Sequence, residues 1–270
     1  MSDVFYTQAS PNWEIAQADV TTDVHNIHDR NFDSQYELTG ADSNNKGLWI
    51  DRLSVPISGS YKDIDTVAIT MYSGSYVNWN SAQIHIYQNS AAQEGGKLGL
   101  NVGNLTSNLD ANAGLFMLDL DTDYKLRFVN LRFVNMPADP IFTQVMLCRK
   151  HTTARNHSIK ESHTWDRFYT KTQQFEGFRS ISHSNYQHKI KAFRRHYPLY
   201  GTADYVQSQN IVSDSQGMLY PFIYTDGLLS NTFVCQFTKN TFEPKDIEHD
   251  HYEIIYEFEE IYRIKPGYTI

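Results

Sequence analysis

The sequence predicts an all-β protein: an N-terminal antiparallel β-sandwich of jelly-roll type, an irregular basic connector and a small C-terminal β module. Three observations lead there. Apolar and β-branched residues fall in short runs separated by Gly, Asn, Asp and Ser clusters, the punctuation of a sandwich. The charge is divided, because residues 149–200 hold eleven Lys and Arg against three Asp and Glu in a chain of net charge −8. The closing run alternates aromatic and acidic residues with period two, which favours a half-buried strand over a helix.

Residues 1–46 are polar and turn-rich, with Trp13 and Ile15 as first anchors, and read as an arm or strand-poor lead-in. From Gly47 the pattern changes. Leu48 to Val55, Thr66 to Tyr72, Gln83 to Tyr87, Leu115 to Leu120, Tyr124 to Val129 and Ile141 to Cys148 each read as a strand. Within this region Leu126-Arg-Phe-Val-Asn130 is followed at once by Leu131-Arg-Phe-Val-Asn135. Strand residues alternate faces, so a shift of five turns the second copy to the opposite face, and a bulge or bend is expected between the copies. The unit is far shorter than the roughly 20–50 residues of solenoid or propeller repeats.

The length suits one large or two modest domains at roughly 100–200 residues each. The charge division places boundaries at 1–148 for the arm and sandwich, 149–200 for the connector and 201–270 for the second β module. In the last portion, Met218 to Thr225 ends at Asp226-Gly227, a turn dipeptide, with Thr232 to Thr238 as hairpin partner. The run from His251 to Ile264 sets Tyr252, Ile254, Tyr256 and Phe258 against Glu253, Ile255, Glu257 and Glu259.

The N-terminus lacks the basic and apolar regions of a signal peptide, and no apolar run approaches the ~18–20 residues that span a bilayer. A soluble protein made in a cytoplasm, with no membrane partner, is expected. Cys148 and Cys235 lie far apart and outside any C-x-x-C pattern, as buried free thiols would.

No catalytic constellation is visible, and no enzyme is expected. G-x-S-x-G, S-x-x-K with its companions and the G-x-x-x-x-G-K-[ST] phosphate loop are absent, and Gly95-Gly96 and Gly99 lack a strand–helix context. His25 with His28, and His249, Asp250, His251 and Glu253, lack zinc-site spacing and read as surface residues. Asp119, Asp121 and Asp123 share one strand face without the D-x-[DN]-x-[DN]-G loop of a calcium site, and read as a solvated hairpin face. Neither a cofactor nor a metal is expected.

Two binding surfaces remain. Tyr72, Tyr76 and Trp79 place three rings in a Gly/Ser/Asn-rich segment at a strand end, suited to stacking on sugar rings or on a neighbouring subunit. In the basic stretch, aromatics interleave with cations as in nucleic-acid binders, but the chain is acidic overall and holds no nucleic-acid motif. Lys189, Lys191, Arg194 and Arg195 are instead expected to meet acidic surface such as Glu253, Glu257 and Glu259 of another copy, making a homo-oligomer.

The sandwich, the connector Gly177-Phe-Arg-Ser-Ile-Ser-His-Ser-Asn-Tyr-Gln-His-Lys-Ile-Lys-Ala-Phe-Arg-Arg-His196 and the module from Leu219-Tyr-Pro-Phe-Ile-Tyr-Thr-Asp-Gly227 together resemble structural proteins of tailed-bacteriophage virions. That resemblance implies a ring or collar component of the tail, neck or baseplate, located in the virion and assembled with other virion proteins. The first sandwich also resembles the galactose-binding type of jelly roll, with Tyr36-Glu-Leu-Thr-Gly40 and Ile50-Asp51 reminiscent of it. This second resemblance implies a carbohydrate- or receptor-binding module facing a cell-surface glycan.

Overall fold

The computed structural model describes residues 2–9, 14–18, 36–37, 45–52, 63–71, 83–89, 97–104, 109–110, 114–124, 128–134, 141–154, 164–166, 169–171, 181–183, 189–196, 198, 201–227, 230–239, 243–248 and 251–262. The chain forms two compact units: Tyr6–Lys150, and Met1–Phe5 with His151–Thr269.

The first unit is an antiparallel β-sandwich. Its strands are β1 (Val4–Gln8), β2 (Glu14–Ala18), β3 (Tyr36–Glu37), β4 (Asn45–Asp51), β5 (Ile64–Met71), β6 (Gln83–Asn89), β7 (Lys97–Asn104), β8 (Leu109–Asp110), β9 (Leu115–Tyr124), β10 (Phe128–Val134) and β11 (Ile141–Thr152). One sheet runs β1-β11-β5-β9-β8, with β3 also pairing β11, and the other runs β2-β4-β10-β6-β7. Alternation sets the interior. Leu48 and Ile50 of β4 and Val129, Leu131 and Phe133 of β10 are all buried. Phe133 stacks on Phe142 of the other sheet, centroids 5.2 Å apart, so this face looks inward. Strand β11 is buried on both faces from Phe142 to Cys148, and the buried hydroxyls of Thr70 and Thr143 satisfy one another, Oγ1 to Oγ1 at 2.6 Å.

Three expectations are corrected here. The lead-in holds strands among its described residues, namely β1, β2 and β3. These strands are too short to show a period, and sheet neighbours give them their hydrogen bonds. The strand expected over Tyr124 to Val129 is divided, with β9 continuing to Tyr124 and β10 beginning at Phe128. No bulge separates the duplicated copies, because β10 pairs without interruption with β4 on one side and β6 on the other. A strand laddered on both edges has no slack for an extra residue, so alternation runs unbroken into the second copy, with Leu131 and Phe133 buried.

The second unit contains β12 (Thr164–Asp166), β13 (Tyr169–Lys171), β14 (Ile181–His183), β15 (Lys189–His196), α1 (Ala203–Asp214), β16 (Phe222–Thr225), β17 (Thr232–Phe237), β18 (Lys245–Glu248) and β19 (His251–Tyr262). Its main sheet runs β12-β15-β19-β17-β16, with β18 also on β19 and β13 pairing β14 separately. The expected hairpin forms as β16 and β17. It closes through Asp226 N to Asn231 O at 2.9 Å and Ser230 N to Asp226 O at 2.8 Å. β19 alternates as expected, burying Ile254, Tyr256 and Phe258 while Ile255 is exposed and Glu253, Glu257 and Glu259 are half-buried.

The described residues of 149–200 lie mostly in strands, where an irregular connector was expected. They hold the end of β11 and β12 to β15, and β15 lies inside the main sheet between β12 and β19. The basic residues obscured that strand, because alternating cations carry no apolar period while the backbone ladder is indifferent to side-chain charge. Helix α1 was not anticipated. Thr202 caps it by accepting from Tyr205 N at 3.4 Å, and Asp204 sits in its first turn, where a negative charge favours the helix N-terminus. It ends with Gly217 at φ 62, whose N–H reaches Val212 O at 3.1 Å.

Phe5 anchors this unit's core, its ring centroid 5.0 Å from Tyr224, 5.1 Å from Tyr256 and 5.9 Å from Phe222. Both cysteines are free and buried, and burial pushes the Cys148 thiol up, leaving it protonated at neutral pH.

Candidate functional site

Since Leu131 and Phe133 look into the sandwich, Asn130 and Arg132 hold the outward positions of β10. On the neighbouring strand the same rule sends Leu48 and Ile50 inward and Gly47, Trp49 and Asp51 outward. The register aligns the two sets. Asn130 stands opposite Trp49, Arg132 opposite Gly47 and Phe128 opposite Asp51. On the other side of β10, Tyr87 holds the position opposite Asn130 and His85 that opposite Arg132. The outward positions of β4 and β10 therefore gather aromatic, amide and charged residue types.

Two of these side chains are unusual. Asn130 is fully buried, and among the described residues neither its Nδ2 nor its Oδ1 has a hydrogen-bond partner. Trp49 is half-buried, and its Nε1 is likewise buried without one. A buried polar group left without a partner costs about 1–3 kcal/mol, which a structural role alone does not reward. The Trp49 ring lies along its own strand over Gly47, where an added Cβ would collide with Cη2 and Cζ3. Glycine at 47 is what lets the ring lie down. Asp51 and Arg132 both interact within the protein.

A second polar cluster in the same unit is fully employed. Lys150 donates from its backbone N to both Asp65 oxygens at 2.8 Å and from Nζ to Asp119 Oδ2 at 2.7 Å, while Thr66 Oγ1 donates to Asp119 Oδ1 at 3.0 Å. Burial pushes the Asp65 carboxyl up, against the lowering effect of the Lys150 N–H. Asp119 is thus committed to Lys150 rather than presented to a cation, and no cluster of metal-ligating side chains occurs among the described residues.

In the 151–269 unit, the buried Asp3 carboxylate accepts from Gly227 N at 2.8 Å and from Tyr224 Oη at 3.2 Å. His196 Nε2 lies 3.2 Å from Asp3 Oδ2, within ion-pair range though not aligned as a hydrogen bond. His151 Nε2 lies 3.3 Å from Asp214 Oδ2, both buried. Neither pair has a nucleophile placed beside it among the described residues, so both read as internal braces.

Of the residues singled out in the sequence, Tyr72, Tyr76 and Trp79 lie outside the described residues, as do His25, His28, His249, Asp250 and Gly95-Gly96. The basic and acidic sets are brought together within one chain, where β15 pairs antiparallel with β19 and Lys191 stands opposite Glu259, Phe193 opposite Glu257 and Arg195 opposite Ile255. Lys189 falls just beyond this register and Arg194 stands opposite Tyr256. Glu257 also pairs with Lys239 Nζ. Sequence reasoning missed Trp49, Asn130 and Arg132 as a set. The one available signal was an Asn and an Arg alternating with core residues inside a strand.

No protein-family model matches the sequence, and a search of curated proteins finds no match. Solved structures give partial likenesses. CBM32-1 from a family 31 glycoside hydrolase of Clostridium perfringens is 13% identical at a TM-score of 0.37, covering 52% of this chain and 97% of its own. The Clostridium perfringens module CpGH89CBM32-5, in complex with GalNAc-beta-1,3-galactose, is 13% identical at 0.36, covering 52% and 97%. SpGH29 is 10% identical at 0.36, and the likeness spans 28% of its chain. The expectation of a tail, neck or baseplate protein of a bacteriophage virion is corrected by these findings: the structures that the chain resembles are carbohydrate-binding modules and glycoside hydrolases. Fold-level features such as a sandwich with a basic stretch do not distinguish a virion subunit from a binding module.

Proposed function

We propose that the 6–150 unit is a carbohydrate-binding β-sandwich that retains a glycan without turning it over. The observation that carries this reading is Trp49, a half-buried ring on the outer face of a sheet with Asp51 and Arg132 at neighbouring outward positions. The core does not need this ring, since Leu48, Ile50, Leu131 and Phe133 fill the inward face. An aromatic face stacks on the C–H side of a sugar ring while nearby polar groups reach its hydroxyls, the mix of apolar lining and few placed polar groups typical of small-ligand sites. Tyr72, Tyr76 and Trp79 add three further rings of the same chemistry at the level of sequence.

The full chain applied to an array of neutral and acidic glycans is expected to bind a defined subset, with Trp49→Ala reducing the signal at least tenfold. Trp79→Ala, measured alongside, reports the contribution of the sequence-level trio. An array without binding above background overturns the reading. Release of reducing ends from a retained glycan overturns the part that excludes turnover.

A further inference from the structure

Three groups on the outer face of the five-stranded sheet are buried without partners among the described residues: Trp49 Nε1, Asn130 Nδ2 and Asn130 Oδ1. They sit at directly opposed register positions on β4 and β10. Indole Nε1 can only donate, whereas a carboxamide donates from nitrogen and accepts at oxygen. The set is therefore two donor atoms carrying three N–H bonds, and one acceptor, on residues that stand opposite each other in the register. A carboxylate, sulfate or phosphate only accepts, so it would satisfy the donors while setting its charge against Oδ1. An ammonium only donates, and would satisfy Oδ1 while opposing both N–H groups. A hydroxyl does both, and two hydroxyls on adjacent ring carbons match all three atoms at once.

We propose that Trp49 and Asn130 form the recognition point for an uncharged sugar ring, with two neighbouring hydroxyls bridging the indole N–H and the carboxamide. This rests on the carbohydrate-binding reading and adds where on the sandwich the sugar sits and which class it belongs to. Charge does not drive the choice, because Arg132 and Asp51, on either side in the register, already interact within the protein. The Trp49 ring rests over Gly47, and binding at this point requires a movement that exposes the three buried atoms.

The test uses the full chain and the indole N–H resonances of its four tryptophans, with Trp49 assigned through Trp49→Phe. Methyl glucoside, methyl galactoside and methyl mannoside are titrated in parallel with methyl glucuronide. The Trp49 indole resonance is expected to move with at least one neutral glycoside, and that glycoside to bind at least tenfold more tightly than the glucuronide.

Asn130→Leu removes the unpartnered carboxamide at similar volume. It is expected to melt at the same or a higher temperature than the parent while binding the neutral glycoside at least tenfold more weakly, a combination that a merely structural asparagine does not give. Gly47→Ala, which displaces the ring, is the second variant and is expected to weaken binding. Unchanged binding in either variant overturns the inference while leaving the carbohydrate reading intact, as does array binding that never moves the Trp49 resonance. An array without binding overturns both.

Discussion

Phe133 of β10 and Phe142 of β11 stack with their ring centroids 5.2 Å apart and their planes 22° from parallel. Both are fully buried, and they belong to different sheets, so this pair ties the two layers of the sandwich together. Truncating Phe133 removes buried area and leaves a void that the sheet ladders prevent from collapsing. Phe133→Ala is expected to cost about 3–5 kcal/mol in chemical denaturation. A loss below about 1 kcal/mol, the range of surface substitutions, would show that the rings do not join the layers.

Asp3 joins distant parts of the second unit through one carboxylate. Its Oδ1 receives both Tyr224 Oη and Gly227 N, and its backbone oxygen receives Thr153 N at 3.0 Å. Asp3→Ala leaves two buried donors unpaired, each at about 1–3 kcal/mol. The expected result is destabilisation by several kcal/mol, while Asp3→Asn, which keeps one acceptor, loses less. Equal losses in the two variants would place the cost in packing rather than in the acceptor.

Asp65 gives the first unit a pH dependence of defined sign. Burial raises its carboxyl above the ordinary value of 3.8, so the native state holds this proton more tightly than the unfolded chain. The stability linked to that proton is fully present below the unfolded value and is lost as pH rises through the folded one. Urea midpoints for the parent and Asp65→Asn across acid to neutral pH should therefore diverge, the variant gaining on the parent as pH rises. A constant difference would mean that Asp65 titrates normally in the fold.

The buried thiols make a kinetic prediction. Cys148 and Cys235 are at most 1% exposed, and burial holds the Cys148 thiol protonated. A thiol reagent at neutral pH should leave both unmodified in the native chain and label both in denaturant. Rapid native labelling of Cys148 would show that β11 opens far more readily than its burial implies.

The alternating pattern of residues was enough to read the all-β class, the hairpin at Asp226-Gly227 and the buried face of β19. Those features depend on neighbours one or two positions apart, which a linear sequence displays directly. Helix α1 escaped notice because its capping Thr202 and acidic Asp204 precede a stretch with a weak apolar stripe. The bulge expected between the duplicated Leu-Arg-Phe-Val-Asn units did not form, since continuity was imposed by β4 and β6 on either side.

By itself, then, the sequence determined the kind of secondary structure, the alternation that separates inward from outward residues, and the free state of its two cysteines. Tertiary structure alone decided which strands became neighbours. That choice placed β15 beside β19, so that Lys191 and Glu259, from the sets expected to meet between copies, stand opposite one another in one chain. It also put Asn130 opposite Trp49, although 81 positions separate them in the numbering. The physical reason is the same in both cases. Strand pairing is a long-range bargain between backbone ladders and buried faces, settled by which sheet order covers the most apolar area, and no local stretch of residues encodes its outcome.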